Sequence, residues 1–193
     1  MTVKSDALPD LALADGPTRV RLLEATRVLL GQYGPRKLAL TDIARLAGVS
    51  RPTLYKHFAS KTDLLDALSA YEQKQFAYSL NIATSGLSGT ARLDAALRHV
   101  VEFQRAYPFQ HLVQIEPSFM LEQLADVLPV LRAGLTPLIA EHQHLTAPAS
   151  GAGRPTDVAD LIVRVALSHF LLPGRDRNQL LRELRHAAGV ARP

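Results

Sequence analysis

The apolar residues of this chain recur every three or four positions, in segments that glycine and proline separate. This spacing lines apolar side chains along one face of a helix, whereas a half-buried strand would require strict alternation of apolar and polar residues. No segment shows convincing alternation. The pattern therefore predicts an all-α fold of about nine helices, and 193 residues with 47% apolar composition are enough to bury a core.

Proline and glycine positions set the predicted ends of the helices. The first helix is predicted over residues 17–33, where a Gly-Pro pair follows. Later helices are predicted over 117–128 and 129–144, because a proline at the start of the second should separate them. Residues 146–155 are rich in Pro, Gly, Ala and Ser, a composition typical of a flexible loop.

Residues 40–65 contain the pattern that says most about function. Two short helices are predicted there, and Gly48 between them can supply the left-handed backbone of a sharp turn. The small side chains of Ala44 and Ala47 allow the two helices to approach closely. The second helix is predicted over 51–57, directly after a serine N-cap. This arrangement is a helix-turn-helix, whose second helix enters the major groove of DNA.

The second helix of this motif has a core face and an outward face. Leu54 and Phe58 are expected in the core. On the outward face, arginine can donate two hydrogen bonds to guanine, and threonine can meet a phosphate or a thymine. Tyrosine, lysine and histidine suit the phosphate backbone. For Arg51 a phosphate contact remains open beside a base contact. The candidate DNA-binding residues are Thr41, Arg51, Pro52, Thr53, Tyr55, Lys56, His57 and Lys61.

Positive charge is concentrated in the same part of the chain. Residues 17–62 contain nine Lys or Arg against Glu24 and Asp42, a net charge of +7. The whole chain carries +4, so the remaining residues carry −3. A basic N-terminal third joined to a slightly acidic remainder is expected when one end of a protein binds a polyanion.

No residue pattern indicates catalysis or a bound cofactor. The absence of cysteine excludes disulfides, thiolate metal sites and cysteine nucleophiles. His142 and His144 lie two positions apart and would point to different sides of a helix. We therefore expect no enzyme, no metal and no cofactor. His169 stays open between a hydrogen-bonded interior or interface histidine and a ligand contact.

The first 16 residues contain three aspartates and do not resemble a secretory signal. No stretch approaches 18 uninterrupted apolar residues, which a helix would need to span a membrane. The expected location is therefore cytoplasmic.

The segment from Arg19 to Leu68 resembles the DNA-binding domain of the TetR/AcrR family of transcriptional regulators. The resemblance rests on "LLEATRVLLGQYG" in the first helix, "IARLAGVS" in the second helix and turn, and "LYKHFASKTDLL" in the recognition helix and the start of the fourth. It covers about a quarter of the chain, and the remainder matches in length and helical character alone.

The resemblance implies three parts. They are a flexible N-terminal arm at 1–16, a three-helix DNA-binding domain at 17–63, and a larger helical domain at 64–193 for effector binding and dimerisation. The apolar character of the last part favours a hydrophobic small-molecule effector. The candidate ligand-binding residues are Phe76, Phe103, Tyr107, Phe119, Met120 and His169.

By the same resemblance, the last two helices would pair with those of a second subunit, and the twofold symmetry would match a palindromic operator. Their apolar faces are wider than packing within one chain requires. The candidate interface residues are Leu161, Val165, Phe170, Leu180 and Leu184, with the core of a monomer as the alternative.

The function expected on this basis is a homodimeric repressor that an apolar small molecule releases from its operator. An effector-independent or activating DNA-binding regulator is the main alternative. A helical enzyme that uses the histidine-containing C-terminal domain, and a pure interaction module, are two others.

Overall fold

The structure is a computed structural model that describes residues 16–107, 109–146, 153–173, 176 and 178–190. Every regular element in these ranges is a helix, which confirms the all-α prediction. Residues 1–15 of the arm predicted at 1–16, and residues 147–152 of the loop predicted at 146–155, lie outside the described residues. The nine helices of the described ranges are α1 Pro17–Lys37, α2 Leu40–Leu46, α3 Arg51–His57, α4 Lys61–Thr84, α5 Gly89–Ala106, α6 Leu112–Ile115, α7 Pro117–Thr146, α8 Pro155–Leu171 and α9 Gln179–Ala187.

The predicted division at Pro129 is wrong, because α7 is one helix that contains both Pro129 and Pro137. A proline inside a helix removes a backbone hydrogen bond and costs about 3 kcal/mol. The second half of α7 buries Leu135, Leu138 and Ile139, and each buried side chain contributes about 1.5–3 kcal/mol. Burial of this face therefore offsets the cost of the proline. The residues around Pro129 give no sign of this burial.

The first of two compact units contains the described residues up to Phe76 together with residues 111–119. Its N-terminal helix α1 bends at Gly34, where φ is 73°, close to the predicted end of this helix. The short helix α6 packs against α1 with Leu112 fully buried, and Arg36 of α1 lies 3.2 Å from the Glu116 carboxylate. The boundary predicted at residue 63 stays a prediction.

The second unit contains residues 77–110 and the described residues from Met120 onward. In it α9 packs against both α8 and α5, and α5 also contacts α8. A charged contact joins two of these helices: Arg185 of α9 donates to both oxygens of Asp94 on α5, at 2.6 and 3.0 Å. Arg98 also donates to Asp94, at 2.8 Å.

Replacing Asp94 with Asn is expected to lower the free energy of unfolding by about 1–2 kcal/mol at neutral pH, because Arg185 loses its charged acceptor. The hydrogen bond from Arg185 holds the pKa of Asp94 below its ordinary value. The stabilisation is therefore present above the unfolded pKa, about 4, and disappears as the pH falls through the folded pKa. Urea denaturation at neutral and acidic pH measures this difference.

The matched control is Asp126→Asn, which removes an exposed carboxylate of α7 in the same unit. It should change stability by less than about 0.5 kcal/mol. A loss in Asp94→Asn that persisted unchanged in acid would contradict the ionic origin of the effect.

Among the described residues, no helix combines the length and apolar content needed to cross a bilayer. The same residues contain no group of three or more His, Asp or Glu side chains placed to hold a metal ion.

Candidate nucleic-acid interface

The turn between α2 and α3 has the backbone that the sequence predicts. Gly48 adopts a φ of 66°, which an L side chain would strain. The amide of Gly48 donates to the Arg45 carbonyl at 3.2 Å, and the amide of Val49 donates to the Ala44 carbonyl at 3.0 Å. These bonds satisfy carbonyls at the end of α2, so the chain leaves α2 in a defined direction.

The N-terminus of α3 is capped as predicted by Ser50. Its hydroxyl oxygen accepts from the Thr53 amide at 3.2 Å and lies 2.7 Å from the Thr53 hydroxyl. Pro52 stands in the first turn, where its missing amide hydrogen is not needed. The Thr53 hydroxyl is therefore engaged within α3.

The two faces of α3 are separated as predicted. Leu54 has 0% and Phe58 1% of its surface exposed, which confirms both as core residues. On the outward side the Arg51 guanidinium lies over the Tyr55 ring, 5.8 Å from its centroid. The predicted DNA-binding residues that are exposed are Thr41, Arg51, Pro52, Tyr55, Lys56 and His57, while Thr53 and Lys61 are half-buried.

Ion pairing divides the basic residues of this region into two groups. Arg45 is paired with Asp42 at 2.6 Å, and Arg27 lies 3.4 Å from Glu72. By contrast, Arg51, Lys56 and Lys61 make no ion pair with any described residue. Uncompensated positive charge therefore lies on α3 and at the start of α4, as well as at Arg21 and Lys37 of α1, and a polyanion would lower its electrostatic energy.

The start of α4 is already capped by its own side chains. The Ser60 hydroxyl accepts from the Asp63 amide at 3.0 Å, and the Asp63 carboxylate accepts from the Ala59 amide at 2.8 Å. This reciprocal pair is the acidic variant of a capping box. Two amides that could bind a phosphate are thus occupied, and Lys61 in the first turn carries more of any phosphate contact at this position.

Arg19 of α1 is a positioning residue that sequence reasoning missed. Its guanidinium lies 4.6 Å from the centroid of the Phe58 ring and donates a long hydrogen bond, 3.4 Å, to the His57 carbonyl. These contacts hold the C-terminal end of α3, whose last carbonyls lack helical partners. His57 lies 38 residues from Arg19 along the chain, so no local sequence pattern could have predicted these contacts.

Replacing Arg19 with Ala is expected to weaken DNA binding about fivefold, since roughly 1 kcal/mol of cation–π and hydrogen-bond energy fixes α3. A positioning role predicts that the slope of log affinity against log salt concentration stays unchanged, because no phosphate contact is lost. Anisotropy titrations of a labelled DNA at several salt concentrations measure both quantities. The control is Arg21→Ala, an exposed arginine of the same helix; a slope reduced in Arg19→Ala alone would identify a phosphate contact instead.

Residues 22–68 match the family model described as bacterial regulatory proteins, tetR family. Residues 22–68 therefore form a domain of the TetR-family type. The match begins within α1 and ends early in α4, so it includes the whole of α3. The matching family model and the matching relatives are those of transcriptional regulators and not of enzymes.

Two relatives and one solved structure extend the comparison. The transcriptional repressor LfrR of Mycolicibacterium smegmatis is 36% identical over 108 residues, which are 54% of this chain and 53% of LfrR. An uncharacterised HTH-type transcriptional regulator of Mycobacterium tuberculosis is 26% identical over 161 residues, 81% of this chain and 76% of that protein. The fatty acid degradation regulator FadR from Bacillus halodurans superposes with a TM-score of 0.69 at 16% identity, covering 90% of this chain and 95% of FadR.

These matches support different conclusions. The aligned part of this chain spans about half the length of LfrR. The likeness to FadR, at 16% identity, shows that the two proteins share a fold over nearly their whole length. Beyond α4 the likeness to FadR is one of fold alone.

The six ligand-binding candidates are divided between the two units. Phe76 and Met120 are buried, and Phe119 belongs to the first unit with Phe76. In the second unit the Tyr107 ring lies between the rings of Phe109, at 5.0 Å, and Phe170, at 5.7 Å. Two candidates remain. The ring centroid of Phe103 lies 6.4 Å from that of Tyr107, and His169 makes a hydrogen bond to Glu183. A ligand-binding role for the six stays a prediction.

The dimer-interface candidates divide into surface and core. Leu161 is 50% exposed and Val165 is half-buried on α8. Phe170, Leu180 and Leu184 are buried within the chain itself. A side chain that is buried within its own subunit cannot contact a second subunit unless its packing is disrupted. These three residues are therefore corrected to core residues, which was the alternative given for a monomer.

Proposed function

We propose that this protein is a homodimeric, ligand-responsive repressor that binds a palindromic operator and leaves it when an apolar small molecule binds. The observation that carries the proposal is the outward face of α3. Its basic side chains lack ion-pair partners among the described residues, and the helix beneath them is held by Ser50, Leu54 and Phe58. A rigid, basic helix of this kind suits the major groove.

The proposed division of roles along α3 follows from side-chain chemistry. Arg51, near the N-terminus of the helix, would donate two hydrogen bonds to a guanine. Tyr55, Lys56 and His57 would contact phosphates, which supply affinity but carry no sequence information. Lys61 would add a phosphate contact from the first turn of α4.

The second subunit is proposed to cover an open groove of about 970 Å³ on α8 and α9. Its apolar walls include Leu161, Val165, Leu181 and Val190. A half-exposed leucine beside further apolar side chains is costly in water, and an identical surface on a second copy would bury it. Two subunits would supply two α3 helices, one for each half of a palindrome.

Replacing Leu161 with Glu is expected to raise the dimer dissociation constant at least tenfold, because two carboxylates would be desolvated at the interface. Sedimentation equilibrium or light scattering after size exclusion measures the change. The control is Leu145→Glu, a leucine of α7 that is 62% exposed and lies outside the groove. If both variants stayed dimeric, the interface would lie on another surface.

Three further observations support the repressor and sensor parts of the proposal. LfrR is named a repressor, and FadR is a regulator of fatty acid degradation. The core of the second unit is built from apolar side chains such as Leu97, Met120 and Ile139, which suits a hydrophobic effector. Helix α4 contributes residues to both units, so it could transmit a change from one to the other. An effector that bound one of two conformations better would shift the population away from the DNA-competent one.

The test begins with selection of the genomic DNA fragments that the purified protein binds. A common palindrome among these fragments supports the proposal, and uniform binding to all fragments at low salt contradicts it. Compounds related to the neighbouring genes are then titrated into the protein–operator complex. A reporter driven by the operator distinguishes a repressor, whose loss raises expression, from an activator or an effector-independent regulator.

A further inference from the structure

The second unit contains an open cavity of about 410 Å³ with both polar and apolar walls. It lies between α5, the C-terminal end of α8 and the start of α9. Val101 and Leu180, both buried residues, supply apolar surface. The volume falls within the range of roughly 300–1,000 Å³ that is typical of small-molecule sites.

Two glutamines of the cavity are bonded to the backbone of α8. The Gln104 carboxamide is oriented to donate to the Ala166 carbonyl at 3.1 Å and to accept from the Phe170 amide at 3.0 Å. Gln110 Nε2 donates to the Phe170 carbonyl at 3.3 Å. These bonds hold the wall between α5 and α8 in one arrangement, so little ordering would accompany the entry of a ligand.

His169, a third polar group of the cavity, is oriented by a carboxylate. Its Nε2 lies 2.8 Å from Glu183 Oε2, and the other oxygen of Glu183 accepts from Gln179 Nε2 at 2.7 Å. The hydrogen bond with His169 lowers the pKa of Glu183, so this group is a carboxylate at neutral pH. Among the described residues, Nδ1 of His169 has no hydrogen-bond partner. This ring nitrogen is thus open to a hydrogen bond with a ligand.

The charge of the cavity favours an anion. Asp176 also lines it, but the Arg182 guanidinium and the Asn178 amide both donate to its carboxylate, which lowers the pKa of Asp176. Arg105 is exposed at the cavity and makes no ion pair with any described residue. Its guanidinium is therefore the positive charge left uncompensated among the described lining residues.

We propose that this cavity binds the carboxylate end of an amphipathic organic acid. Arg105 forms a two-pronged ion pair with the carboxylate, a geometry that guanidinium favours. The apolar part of the acid lies on Val101 and Leu180. This inference rests on the proposed function in making the acid an effector, and it gives the proposed apolar effector a charged end.

The test measures binding of octanoate and 1-octanol to the full chain by titration calorimetry. Octanoate should bind more tightly than octanol, and Arg105→Gln should weaken octanoate roughly tenfold or more while leaving octanol unchanged. The matched control is Arg132→Gln, an exposed arginine of α7 in the same unit that does not line the cavity. It should bind octanoate as the unchanged protein does.

Several results would overturn the proposal. Octanoate could fail to bind at millimolar concentration, octanol could bind equally well, or Arg105→Gln could bind octanoate with undiminished affinity. Chemical shifts of labelled protein give a second readout, since octanoate should perturb the amides around Gln104, Gln110 and His169.

The failure of this inference is distinguishable from the failure of the proposed function. Octanoate that binds with the expected dependence on Arg105 but leaves operator affinity unchanged would establish the site and refute its role as the effector site. Loss of the repressor proposal, through absence of specific DNA binding, would leave the calorimetric result untouched.

Discussion

Replacing Leu54 with Ala is expected to lower the free energy of unfolding of the first unit by about 2–5 kcal/mol, the range for a fully buried leucine. Leu54 is 0% exposed on α3, which packs against α2. The truncated side chain leaves a cavity beneath the surface that carries Arg51 and Lys56. Specific DNA binding should therefore weaken together with stability, as α3 loses its fixed orientation.

The matched control is Leu46→Ala on the neighbouring helix α2, where the leucine is 52% exposed. The same chemical change there should cost less than about 0.5 kcal/mol. The chain contains no tryptophan, so unfolding in urea is followed by far-ultraviolet circular dichroism. Amide hydrogen exchange assigns the loss to α2 and α3. Equal losses in the two variants would contradict the packing of the motif.

Replacing Arg51 with Ala is expected to cost about 1–3 kcal/mol at the operator if Arg51 contacts a base. Affinity for unrelated DNA should fall much less, so the ratio of specific to non-specific binding should drop. The structure adds a reason to expect the upper part of the range: the contact with the Tyr55 ring restrains the guanidinium before DNA binds. Titration of operator and scrambled duplexes at one salt concentration measures the ratio.

Lys61→Ala is the counterpart to Arg51→Ala. It should weaken binding to both duplexes by a similar factor and reduce the salt slope by about one, as the loss of a single phosphate contact would. If Arg51→Ala behaved in this way too, Arg51 would be a phosphate contact. An unchanged slope in Lys61→Ala would remove Lys61 from the interface.

The helix-turn-helix could be predicted almost to the residue because its signals are local. Gly48 at the turn, Ser50 at the N-cap, and Leu54 with Phe58 at helical spacing all act within a few positions of one another. Helix α3 was predicted over 51–57 and is observed over Arg51–His57. Capping and glycine geometry are properties of short segments, so a sequence contains them explicitly.

Contacts between distant segments could not be predicted in the same way. Arg19 meets Phe58, and Arg185 meets Asp94 across 91 residues. Each pair requires that two helices pack at a particular angle and register, and neither quantity is written in the periodicity of a single helix. The continuation of α7 through Pro129 is a similar case, since the burial that offsets the proline occurs further along the helix.

By itself the sequence determined the all-α class, the helix-turn-helix and the side chains that α3 turns outward, because helical periodicity and capping depend on neighbouring residues. Only the tertiary structure decided which apolar residues of the last two helices are core and which are surface. Leu184 and Phe170 are buried while Leu161 is exposed, although all three belong to apolar faces. A wide apolar face shows that something must cover it, and only packing shows which part the chain already covers itself.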